Sequence, residues 1–516
     1  MDSVSLMNVA RDLKALPGIE DAALVMGTDA NKRLLTEIGA LTAEVQAATP
    51  NDLIVMVKGD EPGLDRALTT AEHLLERRPG TISGTSDYRP RTLRGAIRAH
   101  PDTNLVVISV AGAYAAAEAW DALRRGVHVL LFSDNVSLED EIALKTYAVE
   151  HGLLLMGPGA GTALINGVAL GFANVVPRGP VGIVSAAGTG LQEVSSLLAS
   201  QGVGVSQGIG VGGRDLSEPV GGLMMLHALK ALQADPDTQV IVAISKLPSP
   251  TIAQTVLARL ESGRKPAVVI FMGAPSTSQE QPPGERVYMA RTLHGAALVA
   301  AALAQGRDVS TFSAQLASRA RDLQAQAADL AQRLNSTQKF LRGLFSGGTL
   351  CEEAMRLWSG SVGDVWSNGP LDPRLKLPDS NQSRDHCALD LGEEEFTVGR
   401  PHPMIDNDLR IRRLLHEARD PQVAVIQMDI VLGYGAHPDP ASELAPAIRQ
   451  AREIASGDLL VITAITGTDA DPQNRARQAA ALEASGALVL GSTAEASQLA
   501  AFVVTAAHST PGSTRA

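Results

Sequence analysis

Two short stretches carry residue types that suit the chemistry of an anion. The first is Gly188-Thr189-Gly190-Leu191-Gln192-Glu193, which follows the apolar run Val181–Val184. The second is Gly347-Gly348-Thr349-Leu350-Cys351-Glu352-Glu353. Each reads as a buried strand, a glycine turn and the first turn of a helix. Glycine leaves the backbone free where the chain must turn sharply. Unpaired N–H groups and the positive end of the helix dipole then converge on one spot, which suits phosphate. The residues expected to hold it are Gly188, Thr189 and Gly190 in one copy and Gly348, Thr349 and Leu350 in the other.

The surroundings of the two copies repeat as well. Leu226–Ala234 leads through Asp235-Pro236 into the apolar strand Val240–Ile244, and Leu414–Arg419 leads through Asp420-Pro421 into Val423–Ile426. Two similar α/β units in one chain are expected to pack as a pseudo-dimer, with both turns facing one site. Lys246 and Asp429 follow the two repeated strands. Across the pseudo-twofold they are expected to face each other, as a catalytic pair or a plain ion pair. Arg214, in the loop Gly212-Gly213-Arg214-Asp215, is the third candidate catalytic group. Asn166, Gly212, Gly213, Arg400 and His402 sit on glycine- or proline-rich turns after strands, where anionic substrates bind. No metal site is expected.

The elements that must position these residues follow from the hydrophobic pattern. Residues 1–76 read as a small α/β unit. It has helical spacing over Val4–Leu16, strands over Asp21–Met26 and Asp52–Lys58, and a helix over Ala30–Leu41. Residues 77–104 read as a linker with a short helix at Leu93–Arg98. Residues 105–178 alternate strands and helices as a doubly wound parallel unit, where ligands lie beyond the carboxyl ends of strands. Its glycine-rich stretch Gly157–Gly167 reads as a loop or hinge. A second α/β domain spans 179–306, a bridging helix 307–336 and a third α/β domain 337–507. The segment Asn368–Cys387 is expected to be mobile and the tail 508–516 disordered.

Composition narrows the class. Hydrophobic residues make up 45% of the 516 residues, but aromatic residues only 3%, so Ala, Val, Leu and Ile must fill the cores. The net charge of −12 argues against a nucleic-acid surface. Two cysteines, Cys351 and Cys387, suit a reducing cytoplasm. The apolar runs are of strand length or broken by Gly and charge, so no membrane span is expected.

At these motifs the chain resembles the acyl-CoA synthetase FdrA-like family, within the superfamily of NDP-forming succinyl-CoA synthetases. The resemblance is carried by Ser133-Asp134-Asn135-Val136-Ser137, Gly157-Pro158, Ile165-Asn166-Gly167-Val168, Gly188–Glu193, Gly212–Leu216 and Val431–Pro438. It covers nearly the whole chain. It implies an α/β fold with a Rossmann-like N-terminal region followed by two flavodoxin-like (succinyl-CoA synthetase) domains, and no ATP-grasp domain. Synthetases carry a phosphorylated His in a Gly-His-Ala-Gly context after a Lys-Pro strand. Here Lys265-Pro266 leads to Gly273-Ala274-Pro275-Ser276-Thr277-Ser278, without His. His294-Gly295-Ala296-Ala297 is a superficial match at a helix start. Lys246 stands near the position of the Glu that orients the synthetase His, and Ala187 replaces a Ser common in the phosphate turn.

The resemblance further implies a component of a carbamoyltransferase of ureide breakdown. Such an enzyme converts oxalurate and phosphate to oxamate and carbamoyl phosphate, with two partner proteins encoded nearby. On that reading phosphate is a co-substrate held by the paired helix ends, while Arg214 and Lys246 hold substrate anions. An acyl-CoA synthetase subunit with a CoA cleft in residues 105–167 is the alternative, and an anion- or CoA-binding regulatory scaffold the non-enzymatic one. Small anionic substrates, an oligomeric assembly and no nucleic acid or membrane are the expected associations.

Overall fold

A computed structural model describes residues 9–10, 12–14, 16–27, 32, 42–49, 52–76, 90–272, 286–397 and 401–509. The chain divides into two units, Met1–Arg89 with Gly392–Pro403, and Pro90–Leu391 with Met404–Ala516. In the first unit, β1 (Ile19–Met26) is followed by α1 (Ala43–Ala47), β2 (Leu53–Gly59) and α2 (Glu61–Glu76). The two strands pair antiparallel. Val9, Leu13, Leu24, Ala67 and Ala71 form its core. Most of the expected helix Ala30–Leu41, the first part of the linker and the tail beyond Ser509 lie outside the described residues.

The second unit begins with α3 (Leu93–Ala99), then β3 (Leu105–Ile108), α4 (Gly112–Leu123), β4 (His128–Leu131), α5 (Leu138–Glu150) and β5 (Leu155–Met156). The three strands form a parallel sheet in the order β3-β4-β5. The glycine-rich stretch that follows is more than a loop. It contains β6 (Thr162–Ile165) and β7 (Val168–Gly171), an antiparallel hairpin. Its turn is Asn166-Gly167, with φ of 51° and 81°. That left-handed pair is what a two-residue hairpin matching the strand twist requires.

Module 1 continues with β8 (Arg178–Ser185), α6 (Gly188–Ser200), β9 (Val205–Gly210), α7 (Leu223–Ala234), β10 (Val240–Ser245), α8 (Pro250–Glu261), β11 (Ala267–Phe271), β12 (Val287–Met289) and α9 (Leu293–Ala304). Its sheet has the order β12-β11-β10-β8-β9-β6-β7, so the hairpin closes one edge. After α10 (Phe312–Ala331), module 2 comprises β13 (Phe340–Phe345), α11 (Gly348–Val362), β14 (Trp366–Ser367), β15 (Cys387–Asp390), α12 (Asp408–Glu417), β16 (Val423–Val431), α13 (Pro440–Ile454), β17 (Leu460–Thr466), α14 (Arg475–Ala484), β18 (Leu488–Leu490) and α15 (Thr493–Ser509). The order is β14-β15-β13-β16-β17-β18. The central strands β10 and β16 are buried along their whole length, because helices cover both faces of such sheets. The fold class is therefore α/β with parallel sheets.

The helix α10 packs along α15 and also touches α9, so it meets both modules. One expectation changes. The segment Asn368–Cys387 is pinned rather than mobile. Leu377 N donates to Ser367 O at 2.9 Å, and Arg413 reaches Ser380 O at 3.0 Å. Glu417 accepts from Ser383 Oγ at 2.7 Å and from Arg342 at 2.8 Å.

The modules share one apolar core. Leu191, Val194 and Leu198 of α6 belong to the same cluster as Leu350, Ala354 and Trp358 of α11. Inside that cluster each module reaches across to the other's last helix. Glu193 of module 1 accepts from Thr493 N, at the start of α15, at 3.0 Å, and its other oxygen bonds Thr466. Glu353 of module 2 accepts from Leu293 N, at the start of α9, at 2.7 Å. Each buried carboxylate thus satisfies an otherwise orphaned helix N–H. The two clasps differ in one respect: Glu353 Oε2 has no hydrogen-bond partner among the described residues. Burial, with Glu193 adding to it, pushes the Glu353 carboxyl up to about 8.

A separate polar cluster ties β3–β5 to module 1. The fully buried Lys145 donates to Glu141 and Asp215, each at 2.7 Å, and to Val211 O at 3.0 Å. Asp215 in turn accepts from Met225 N at 2.8 Å, at the start of α7. Two predictions follow from these buried charges. Lys145→Met, which strands two carboxylates, is expected to cost about 3–5 kcal/mol in urea unfolding. Glu353 carries a proton when folded and loses it when unfolded, so its contribution to stability is complete below pH 4.5 and is lost as pH rises towards about 8. Glu353→Gln should remove that slope, up to about 1.4 kcal/mol per pH unit, in melts recorded from pH 5 to 9.

Candidate functional site

The two glycine turns lie against each other. A Cβ built on Gly190 would sit 3.0 Å from Thr349 Cγ2, and one on Gly347 would sit 2.8 Å from Thr189 Cγ2 and 2.9 Å from its Oγ1. Each threonine therefore occupies the space that a missing side chain leaves in the opposite turn. Gly188, Thr189, Gly190, Gly348, Thr349 and Leu350 are thereby brought to one place, at the N-termini of α6 and α11. Both threonines and Leu350 are buried.

The turns are held from beneath by different groups. In module 1, Ser185 Oγ accepts from Ala187 N at 3.0 Å and donates to Ala187 O at 2.7 Å. In module 2, the Asp429 carboxylate accepts from Ser346 N at 2.7 Å and Gly347 N at 2.8 Å. Burial raises the Asp429 carboxyl, against the opposing pull of Arg410, whose guanidinium lies 3.2 Å away, and of these N–H donors. Asp429 thus shapes a turn and is spent on it. It does not pair with Lys246, as its place after the repeated strand had suggested.

The strand register gives the reason. In module 1, Val240 stands opposite Val181, and Ile244 opposite Ser185. In module 2, Val423 stands opposite Phe340, then the register skips Ala424, so that Met428 faces Leu344. With Gly188 matched to Gly348, Asp429 corresponds to Ile244, two residues before Lys246. Lys246 instead stands 3.9 Å from Glu352 Oε2, at the start of α11, with its side chain half-exposed.

The two turns also face different neighbours. A Cβ on Gly188 would lie 3.6 Å from Thr162 Oγ1, the one neighbour within reach among the described residues. A Cβ on Gly348 would overlap the Asp390 carboxylate and lie 3.5 Å from Lys246 Nζ. Asp390 ends β15, stands opposite Phe345, and is held by Asn368, which accepts from its N–H at 3.0 Å. Gly210 occupies the equivalent place opposite Ser185 in module 1. Asp390 is the site group that the motif search missed. Its signal was a carboxylate at the carboxyl end of the otherwise apolar strand Cys387-Ala388-Leu389.

The other expected residues fall elsewhere or serve the frame. Arg214 bonds Val136 O at 2.7 Å and lies 2.8 Å from Glu141 Oε2, so it joins the Lys145 cluster. Gly212 packs on the Gly157-Pro158 turn and a Cβ built on Gly213 would lie 3.9 Å from Ala186 O, which sets this loop beside the first turn. Asn166 is an exposed hairpin residue, bonded to the half-buried Gln207 at 2.8 Å. His402 is half-buried in the segment that groups with the first unit. Arg400 and the loop Gly273–Ser278 lie outside the described residues. His294 is tied to Ser492 Oγ at 3.1 Å, and burial lowers its pKa. Among the described residues no cluster of His, Cys, Asp or Glu is arranged for a metal, and no helix is long and apolar enough to cross a membrane.

Comparison with known proteins agrees with this architecture. Residues 344–503 match the CoA-ligase family model, 178–273 the CoA binding domain, and 1–90 the AllF, heavy metal-associated domain. Within that last span there is no cysteine, both cysteines of the chain lying at 351 and 387, and His73 is the single histidine. The chain is 44% identical over 508 residues to YahF of Escherichia coli K12, covering 97% of this chain and 96% of that protein. It is 26% identical over 189 residues to the alpha subunit of ADP-forming succinate–CoA ligase from Methanothermobacter thermautotrophicus, 36% of this chain and 61% of that subunit. It is 27% identical over 205 residues to the ADP-forming sulfoacetate-CoA ligase subunit SauD of Bilophila wadsworthia, 38% of this chain and 66% of that subunit. A dinucleotide-forming acetyl-coenzyme A synthetase of Ca. Korarchaeum cryptofilum superposes with a TM-score of 0.34 at 16% identity, covering 84% of this chain and 88% of that one. The chain belongs to the family of YahF, built on CoA-binding and CoA-ligase domains of the succinyl-CoA synthetase kind.

Proposed function

We propose that the chain is an acyl-transfer enzyme of the CoA-ligase superfamily that exchanges an acyl group between CoA and phosphate. The observation that carries this reading is the interlock of Gly190 with Thr349 and Gly347 with Thr189, which sets two helix N-termini at one place. Phosphate sits at the turn of α6, on the N–H groups of Gly188–Gly190, with Thr189 and Thr162 as hydroxyl donors. A phosphate oxygen attacks the thioester carbonyl carbon, the C–S bond breaks, and CoA leaves as thiolate, giving an acyl phosphate. The step draws on orientation and on donors fixed in advance, and needs no covalent enzyme intermediate. This suits a chain that lacks the His of the synthetase relay after Lys265-Pro266.

CoA is assigned to the carboxyl ends of β3–β5, the usual ligand edge of a parallel sheet. Val110 and Tyr114 expose apolar surface there, at 44% and 69%, and Ser133 Oγ bonds the Val110 backbone. Two of the relatives named above are CoA-ligase subunits by name, and this favours acyl-CoA chemistry over carbamoyl transfer from oxalurate. Partner proteins and an oligomer remain part of the proposal, since the ligase relatives are subunits by name.

The test is phosphate-dependent release of CoA thiol from a panel of short acyl-CoA esters, including succinyl-CoA. The wild-type chain is expected to release thiol. Thr189→Val is expected to lower the rate about tenfold or more, in line with the loss of a pre-set donor, and Tyr114→Ala to raise the KM for the ester. Carbamoyl phosphate formation from oxalurate and phosphate, without thiol release, would transfer the site to carbamoyl chemistry. No turnover with either substrate set, alone or with co-purifying proteins, would leave the enzyme reading without support.

A further inference from the structure

We infer that Asp390 is an internal anion that closes the second of the two turns, so that the twin site accepts a ligand anion on module 1 alone. The assignment rests on the anion reading of the turns given above and adds the rule of which half is open. Three observations carry it. Asp390 is buried, at 8% exposure, and its Oδ2 lies on Gly348 so closely that any side chain at 348 would overlap it. The equivalent strand position in module 1 is Gly210, which has no side chain to offer. The group beside Gly188 is instead the Thr162 hydroxyl, contributed by the hairpin that closes the sheet edge.

The chemical consequence is a division of labour between halves that look alike in sequence. A carboxylate fixed at the start of α11 already answers its partial positive charge, and it repels a second anion. Lys246 Nζ lies 3.5 Å from the Cβ position built on Gly348, and its ion pair is with Glu352 at 3.9 Å. At the start of α6 the N–H groups face a hydroxyl, which can donate to an incoming oxyanion. The part of a substrate that faces α11 must therefore be neutral, cationic or a hydrogen-bond donor, while its phosphate or carboxylate goes to Gly188–Gly190. Two anionic groups disposed across both turns are excluded.

The experiment titrates the full chain with inorganic phosphate by calorimetry and soaks crystals with selenate, whose anomalous signal locates the anion. The wild type is expected to bind one anion at Gly188–Gly190. Asp390→Asn is expected to bind phosphate at least tenfold more tightly and to show selenate density at Gly348–Leu350. Asp390→Ser, smaller and leaving the backbone bonds of residue 390 to Asn368 in place, is the second variant, and thermal melts verify that each is folded. Wild-type selenate at Gly348–Leu350 would overturn the inference, as would variants with wild-type affinity and no density at the second turn. Phosphate that binds neither wild type nor variant, or binds unaffected by Thr189→Val, would instead remove the twin-turn reading itself.

Discussion

The structure depends on two side chains that are absent. Gly190 and Gly347 lack a Cβ, and the opposing threonines fill the vacated space at contact distance. That single steric allowance lets α6 and α11 meet at their N-terminal ends, where like partial charges would otherwise hold them apart. The unfavourable approach is offset deeper in the interface. There the helices share an apolar core with Leu191, Leu350, Ala354 and Trp358. One turn further on, Glu193 and Glu353 reach across to the N-termini of α15 and α9. The interlock, the core and the carboxylate clasps are three layers of one interface between modules of the same chain.

Symmetry is kept in the layers that hold the modules and abandoned in those that meet a ligand. Thr189 matches Thr349 and Glu193 matches Glu353, whereas the interlocking glycines stand at non-equivalent positions, Gly190 corresponding to Leu350 and Gly347 to Ala187. Beneath the turns, a Ser185 hydroxyl answers to an Asp429 carboxylate, and beside them a Thr162 hydroxyl answers to an Asp390 carboxylate. A duplicated fold can change one copy's electrostatics while leaving the packing of both intact, because the substituted positions lie at strand ends and not in the shared core. On the inference drawn above, one turn is left to an incoming anion while the other already faces the Asp390 carboxylate.

Much of this was legible in the chain itself. The apolar runs mark the central strands, and the repeated Gly-Thr-…-Glu motif marks both helix starts, because turn chemistry is local. The pairing of Lys246 with Asp429 was not legible. It assumed that strands beginning with the same residue type run in step, whereas the skipped Ala424 and an earlier start in β16 displace them by two positions. Asn166 and Arg214 were read as ligand groups because they stand on glycine-rich turns. The hairpin and the buried Lys145 cluster that claim them depend on long-range contacts. Glu193 and Glu353 were visible as first-turn acids, but their reach into the other module requires knowing which helices the fold brings opposite them.

The central claim is that the amide groups at the start of α6 receive the anion. Hydrogen–deuterium exchange with and without phosphate tests it most directly, on peptides that cover Ala186–Gln192 and, for comparison, Ser346–Glu352. Phosphate is predicted to slow exchange in the first peptide and to leave the second close to its ligand-free rate. Equal exchange in the first peptide with and without saturating phosphate, or protection centred on the second, would contradict the account.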